Sequence, residues 1–300
     1  MDFFKFIKAV GTGPRHNRDL SQAEMKEVIT MILKRQISNE EIGAFLLGWR
    51  VKGETAEEFL GTLESFESHI KYQNVPNSIE LGFPSDGKND NPYIFVLAAN
   101  FLKPFGINLA LCKDELKHAK LGHTIFDLAN NYEFGDNIFC FDKKEIFAEL
   151  SNLNKIRENL KIRTSFDSIE KLSGFARSKA GILGAFHKPF VEKYLEIYCQ
   201  KYSNFAVIKG NEGGLEIFGK CQLWVFKNSK IEHITIDPAE FGINYQKSWD
   251  KISLEESISM IKDPSNDLLN LAKLNAAVWL FIYDDNIQNI RQAFEKLGQR

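Results

Sequence analysis

The spacing of apolar residues changes once along this 300-residue chain, and that change limits the folds open to it. Up to about residue 72 the apolar residues recur at helical spacing. Ser21, Ser38 and Thr55 are each followed three residues later by Glu, a pattern typical of helix N-termini. Beyond Pro76, short apolar strands alternate with helices, which predicts a mainly parallel sheet covered on both faces.

We therefore expect an α/β protein with a small N-terminal helical domain and a larger domain whose mainly parallel sheet is flanked by helices. The predicted helical domain is residues 1–72, with helices from about 144–177 packing on it. The α/β domain is then 73–143 and 178–300. Residues 223–226 and 231–236 are expected to pair as an antiparallel hairpin.

Composition excludes several classes of protein. With 44% hydrophobic residues the chain can bury a core, so intrinsic disorder is excluded. The longest apolar stretch, about residues 93–102, is far shorter than the roughly 20 residues that span a bilayer, so no membrane association is expected. Four distant cysteines with no CxxC pair argue against a zinc or redox motif and favour a reducing cytoplasm. A net charge of −2 means that nucleic-acid binding would need a local basic patch.

Several motifs carry a resemblance to a known family. Residues 42–59 read IGAFLLGWRVKGETAEEF, and further matches follow in the same order at 156–164, 207–210, 236–243 and 274–277. This series resembles the anthranilate phosphoribosyltransferases of glycosyltransferase family 3, which have a nucleoside phosphorylase/phosphoribosyltransferase-like fold. The opening at residues 6–20 looks like that of the YbiB-type branch, which lies outside tryptophan synthesis.

The resemblance implies a site for magnesium-bound phosphoribosyl diphosphate, but the matching motifs are altered. The family's GTGGD loop is GFPSDG at residues 82–87, and Pro84 has no N–H to offer a phosphate. Its N.ST, KHGNR and DE motifs correspond to NPYI at 91–94, LCKDE at 111–115 and LE at 215–216. We therefore expect a degraded donor site. No cofactor is expected, and Mg²⁺ only if catalysis is retained, with Glu212 and Glu216 as its ligands. The expected ligand- or anion-binding residues are Ser85, Asp86, Gly87, Lys88, Arg157 and Lys209.

A basic span favours another role. Residues 155–193 hold nine basic and four acidic residues, a formal charge of +5. YbiB-type proteins are dimers that bind nucleic acid in a basic groove, so the resemblance implies a homodimer formed through the N-terminal helices and binding of single-stranded DNA or RNA. The candidate contacts are Arg15, His16, Arg18, Lys155, Arg163, Lys171, Arg177 and Lys179.

Three alternatives stay open. The basic residues could be surface cations paired with nearby acids. The chain could be an active glycosyl- or phosphoribosyltransferase with an altered substrate, using Arg157 and a Glu212–Glu216 pair. It could also sense a small anion.

Overall fold

The computed structural model describes residues 3–116, 122–210, 213–246 and 250–299. Its N-terminal part is a bundle of four helices, and the three predicted capping boxes, at Ser21, Ser38 and Thr55, are all formed. Each box satisfies backbone N–H groups that would otherwise lack partners at a helix start. The four helices are α1 (Phe4–Gly11), α2 (Gln22–Leu33), α3 (Asn39–Lys52) and α4 (Ala56–Glu67).

A seven-stranded sheet forms the second part, in the order β3-β2-β1-β4-β5-β6-β7. The first five strands in this order are parallel, whereas β6 and β7 pair antiparallel as the predicted hairpin. The predicted fold class is therefore confirmed. The strands are β1 (Ser78–Gly82), β2 (Asn108–Lys113), β3 (Ile138–Asp142), β4 (Ala180–Gly184), β5 (Asn204–Lys209), β6 (Cys221–Lys227) and β7 (Lys230–Ile236).

Ten further α-helices lie in the described residues, together with 3-10 helices at Lys103–Phe105 and Pro238–Phe241. Residues 143–160 form three short helices, and the first two are separated by Phe147, which leaves helical geometry at φ −148° and ψ 64°. The ten helices are α5 (Phe95–Leu102), α6 (Ile125–Asn131), α7 (Lys143–Ile146), α8 (Ala148–Ser151), α9 (Asn154–Leu160), α10 (Phe166–Ile169), α11 (Lys188–Tyr198), α12 (Leu254–Lys262), α13 (Asn266–Tyr283) and α14 (Ile290–Gly298).

Two apolar cores lie on opposite faces of the sheet. One contains Trp279 on α13 together with α5. The other joins the face carrying α11 to the N-terminal bundle and contains Trp49. Helices α7 to α10 pack on this bundle, where the Phe66 and Phe147 ring centroids are 4.9 Å apart. In the described ranges no helix is long and apolar enough to cross a membrane.

The strand order places a crevice above β1 and β4. These neighbours connect onward in opposite directions, β1 to β2 and β4 to β5. The loops that follow them therefore separate at the carboxyl edge of the sheet. In open α/β sheets, ligands bind at such a switch point.

Candidate functional site

A cavity of about 260 Å³ lies at this switch point, between the sheet and the helical bundle. The loop after β1 contributes Asp86, and the residues after β4 contribute Phe186 and His187. Arg50, on α3, and Arg163, between α9 and α10, line it from the helical side. The cleft is thus assembled from segments distant in the sequence and brought together by the topology.

The charged lining of this cleft consists of three basic residues, Arg50, Arg163 and Lys171, and two acidic residues, Asp86 and Asp167. The Arg163 Nε and Nη2 atoms lie 3.0 and 2.5 Å from the two Asp86 carboxylate oxygens, while 47% of the Arg163 side chain stays exposed. The Lys171 ammonium group donates a long hydrogen bond of 3.4 Å to the Gly184 carbonyl. Burial, with the charge of Arg163, lowers the pKa of Lys171 to about 8, so it is still mostly protonated at pH 7.

Aromatic side chains complete the cleft. Phe186 is 61% exposed, which is unusual for a phenylalanine, and its ring centroid is 5.0 Å from that of His187. Phe190 and Tyr194 from α11 form the neighbouring wall, with their ring centroids 5.9 Å apart. The cleft therefore offers both charge and flat apolar surface to a ligand.

Arg157 lies behind the cleft and does not line it. The residue is fully buried, and its guanidinium group donates to Asp167 at 2.9 Å and to Glu170 at 2.6 and 2.8 Å. Lys143 extends this network, with its ammonium 2.9 Å from Asp114 and 3.3 Å from Glu170. An anion could reach Arg157 only by displacing one of these carboxylates.

A second buried ion pair lies beside the loop after β1. The Lys88 ammonium contacts the Glu216 carboxylate, and the two residues are 9% and 4% exposed. The other Glu216 oxygen accepts a 2.7 Å hydrogen bond from the Phe95 N–H at the start of α5. A carboxylate is favoured there, because a helix start carries unsatisfied donors and a partial positive charge. Glu216 thus occupies the helix terminus that an anion would otherwise use.

The described residues do not fit a divalent cation at Glu216. A magnesium ion needs near-octahedral oxygen ligands, and here a protonated amine already contacts the carboxylate. In the described ranges there is also no group of three or more His, Cys, Asp or Glu side chains that could hold a metal. Glu212, the second predicted ligand, lies outside the described residues.

The remaining candidate residues are spread over the molecule. Ser85 donates to Asp167 at 3.2 Å, Gly87 packs against the His123 carbonyl, and Lys209 ends β5. Arg15 and His16 are exposed in the turn after α1, Lys155 is exposed on α9, and Arg18 pairs with Glu24.

Arg177 and Lys179 precede β4, at the sheet edge opposite the cleft. The Arg177 guanidinium lies 4.7 Å from the Tyr72 ring centroid, and Lys179 pairs with Asp285. Of the eight predicted nucleic-acid contacts, the cavity therefore brings together Arg163 and Lys171.

The cleft residues that were not predicted as site residues include Arg50, Phe186 and His187. Phe186 and His187 follow β4 almost directly, and residues in that position at a switch point are the signal that could have found them. Arg50 lies within the motif at residues 42–59, which was used only to identify the family resemblance.

Comparisons with known proteins agree with this architecture. Residues 5–69 match the model of the glycosyl transferase family helical bundle domain, and residues 132–299 match that of its a/b domain. The chain belongs to this family, glycosyltransferase family 3. The predicted anthranilate phosphoribosyltransferase-like resemblance is thereby confirmed.

The chain is similar to individual proteins over most of its length. The chain is 30% identical to an uncharacterized protein of Aquifex aeolicus, over 77% of this chain and 75% of that protein. It is 23% identical to the anthranilate phosphoribosyltransferase of Dictyoglomus thermophilum, over 98% and 94% of the two chains.

Solved structures of the Saccharomyces cerevisiae anthranilate phosphoribosyltransferase share the fold. One matches with a TM-score of 0.75 at 18% identity, over 99% of this chain and 92% of that one. Another, in complex with PRPP and Mg, gives a TM-score of 0.73 at 15% identity, with the same coverage.

Proposed function

We propose that this glycosyltransferase family 3 protein binds single-stranded DNA or RNA in the cleft at the switch point and does not transfer phosphoribosyl groups. The observation that carries the proposal is the exposed ring of Phe186, next to the cations Arg163 and Lys171. Proteins that bind single strands combine such cations, for the phosphates, with aromatic rings, on which bases stack.

The ion pair of Lys88 and Glu216 supports the proposed loss of transferase activity. Transfer from a diphosphate donor needs magnesium and a helix start that receives the phosphate. Here Lys88 contacts the carboxylate that the resemblance assigns to the metal, and Glu216 accepts from the start of α5. Removing one preorganised electrostatic element costs about 3 kcal/mol of transition-state stabilisation, so the combined changes abolish this chemistry.

If nucleic acid binds in the cleft, the affinity for oligonucleotides should fall with salt, and substitutions in the cleft should change both the affinity and its salt dependence. For single strands, log K falls with log salt by about 0.7 per neutralised phosphate, so the Arg163→Ala/Lys171→Ala double variant should flatten that slope by about 1.4. Phe186→Ala should cost about 1–3 kcal/mol, since one stacked base is lost. Fluorescence anisotropy with labelled oligothymidine and oligouridine across a salt series measures both effects.

Lys230→Ala is the matched control. This exposed lysine starts β7 at the opposite edge of the sheet, because β6 runs antiparallel to β5. Its removal should leave both slope and affinity unchanged. The proposal is wrong if the intact protein fails to bind either oligonucleotide at low salt. Magnesium-dependent product from phosphoribosyl diphosphate would favour the alternative of an altered transferase.

We also propose that the protein is a homodimer through α1 and α3. This face carries exposed apolar side chains, with Leu47 40% and Val51 76% exposed, beside a groove of about 630 Å³. Neighbouring copies would cover these side chains, as exposed apolar patches commonly mark protein interfaces.

The four cysteines are free thiols, which supports the cytoplasm as the compartment.

If the protein is a dimer through this face, introducing charged residues there should lower its molecular mass in solution. Leu47→Asp/Val51→Asp should convert a dimer into a monomer, because two carboxylates would be buried without partners. Light scattering after size exclusion measures the mass. Ile231→Asp, at an apolar position on β7 that is 56% exposed, is the control and should remain dimeric. A monomeric parent protein, or a dimeric double variant, contradicts the proposal.

A further inference from the structure

The surroundings of the Lys88 ammonium group resemble a binding site for an organic cation. The ammonium contacts the Glu216 carboxylate and lies 4.5 Å from the ring centroid of Tyr93 and 4.8 Å from that of Phe218. Aromatic faces attract cations within about 6 Å, most strongly where water is excluded. Tyr93 and Phe218 are 1% and 7% exposed, so this group lies in such a place.

The walls of this cage are fixed by contacts that do not involve the Lys88 side chain. The Tyr93 hydroxyl donates to the His123 carbonyl at 2.9 Å, and the Phe95 N–H donates to Glu216 at 2.7 Å. The Lys88 backbone is itself fastened by two reciprocal hydrogen bonds of 3.0 Å with His123. Shortening the Lys88 side chain therefore leaves both the cage and the loop in place.

We propose that Glu216, Tyr93 and Phe218 form a binding site for a primary ammonium group, which Lys88 fills in the intact chain. The Lys88 ammonium is then a fixed monovalent cation beside Glu216, the carboxylate that the family resemblance assigns to the metal. Two aromatic faces and one carboxylate suit an alkylammonium ion, whereas Mg²⁺ gives up its water more reluctantly and requires oxygen ligands. This inference is independent of nucleic-acid binding.

Chemical complementation tests the site. Lys88→Ala removes the atoms of one propylammonium ion, so n-propylammonium should bind in the vacated space. Lys88→Ala should melt at a lower temperature than the parent protein, and n-propylammonium should restore at least half of that loss in a saturable way. Sodium and magnesium chlorides at equal ionic strength should not.

Two controls separate a bound ion from a general salt effect. The parent protein, whose site is filled, and Lys88→Ala/Glu216→Gln, whose cage lacks the carboxylate, should show no saturable response. Equal stabilisation of all three proteins overturns the proposal. So does a stronger response of Lys88→Ala to magnesium than to the amine.

A second measurement needs no folded variant. Reductive methylation of the intact protein, followed by peptide mass spectrometry, should modify exposed Lys155 and Lys230 well before Lys88. Methylation of Lys88 as fast as of these two residues would show that its amine is not enclosed. Because oligonucleotide binding is measured separately on the intact chain, either proposal can fail without the other.

Discussion

Replacing Arg157 with methionine is expected to lower the free energy of unfolding by about 3–5 kcal/mol. The guanidinium is fully buried and makes three hydrogen bonds to Asp167 and Glu170. Methionine has a similar length and no charge, so it removes the buried cation that the Asp167 and Glu170 carboxylates share, although Glu170 keeps its 3.3 Å contact with Lys143. The cost comes from those stranded charges rather than from a cavity.

Urea denaturation followed by tryptophan fluorescence measures the effect. Trp49 reports on this region, since its ring lies 6.3 Å from that of Phe166, which precedes Asp167. Arg163→Met is the matched control, because that arginine pairs with one carboxylate and is 47% exposed, so about 1 kcal/mol or less is expected.

The origin of the loss can be separated from packing. Adding Asp167→Asn and Glu170→Gln to Arg157→Met removes the stranded charges and should recover part of the stability. If Arg157→Met is no less stable than Arg163→Met, or if the two added changes destabilise it further, the electrostatic explanation is wrong.

Local patterns in the sequence predicted local structure well. Ser21, Ser38 and Thr55 cap helices as expected, since a capping box involves only four consecutive residues. The same pattern was available at Ser253, which opens the unpredicted helix α12, and a variant with Asp127 in place of Glu was available at Thr124, which opens the unpredicted helix α6. Those two helices could therefore have been found by applying the same rule along the whole chain.

The electrostatics of the site could not be predicted in this way, because charge partners are distant in sequence. Arg163 pairs with Asp86, Lys179 with Asp285 and Lys193 with Glu54. All three acids lie outside the span 155–193, so its formal charge of +5 overstates the exposed positive charge. Likewise, Lys88 and Glu216 are 128 residues apart, and only the fold brings them together.

Burial makes the Glu80 carboxylate a source of pH-dependent stability. Glu80 is fully buried in β1, and this desolvation raises its pKa to about 7, although the N–H groups of Gly174 and Ala176 oppose the shift. The ordinary value is 4.5. Between pH 4.5 and 7 the folded protein therefore binds a proton that the unfolded chain has released, so stability falls as pH rises through this window.

Other titrating groups do not account for the difference expected between a Glu80 variant and the parent protein. Tyr202, Tyr198 and Cys112 interact with it electrostatically, and burial raises the pKa of each well above its ordinary value, so none titrates below pH 8. His123 acts in the opposite direction, because burial and the charge of Lys88 lower its pKa to about 4. Its effect cancels when two proteins that both contain His123 are compared.

Glu80→Gln is therefore expected to gain stability relative to the parent protein as pH rises from 5 to 8, by about 3 kcal/mol at roughly 1.4 kcal/mol per pH unit. Glutamine mimics the protonated acid and keeps an oxygen for the Gly174 N–H. Urea denaturation at several pH values measures the difference, and Glu192→Gln, exposed on α11, should show none. A difference for Glu80→Gln that stays constant with pH would mean that the carboxylate is ionised throughout. Because Gly174 and Ala176 lead into β4, and β4 ends at the cleft, the hydrogen bonds that Glu80 accepts also hold the segment that leads to Phe186.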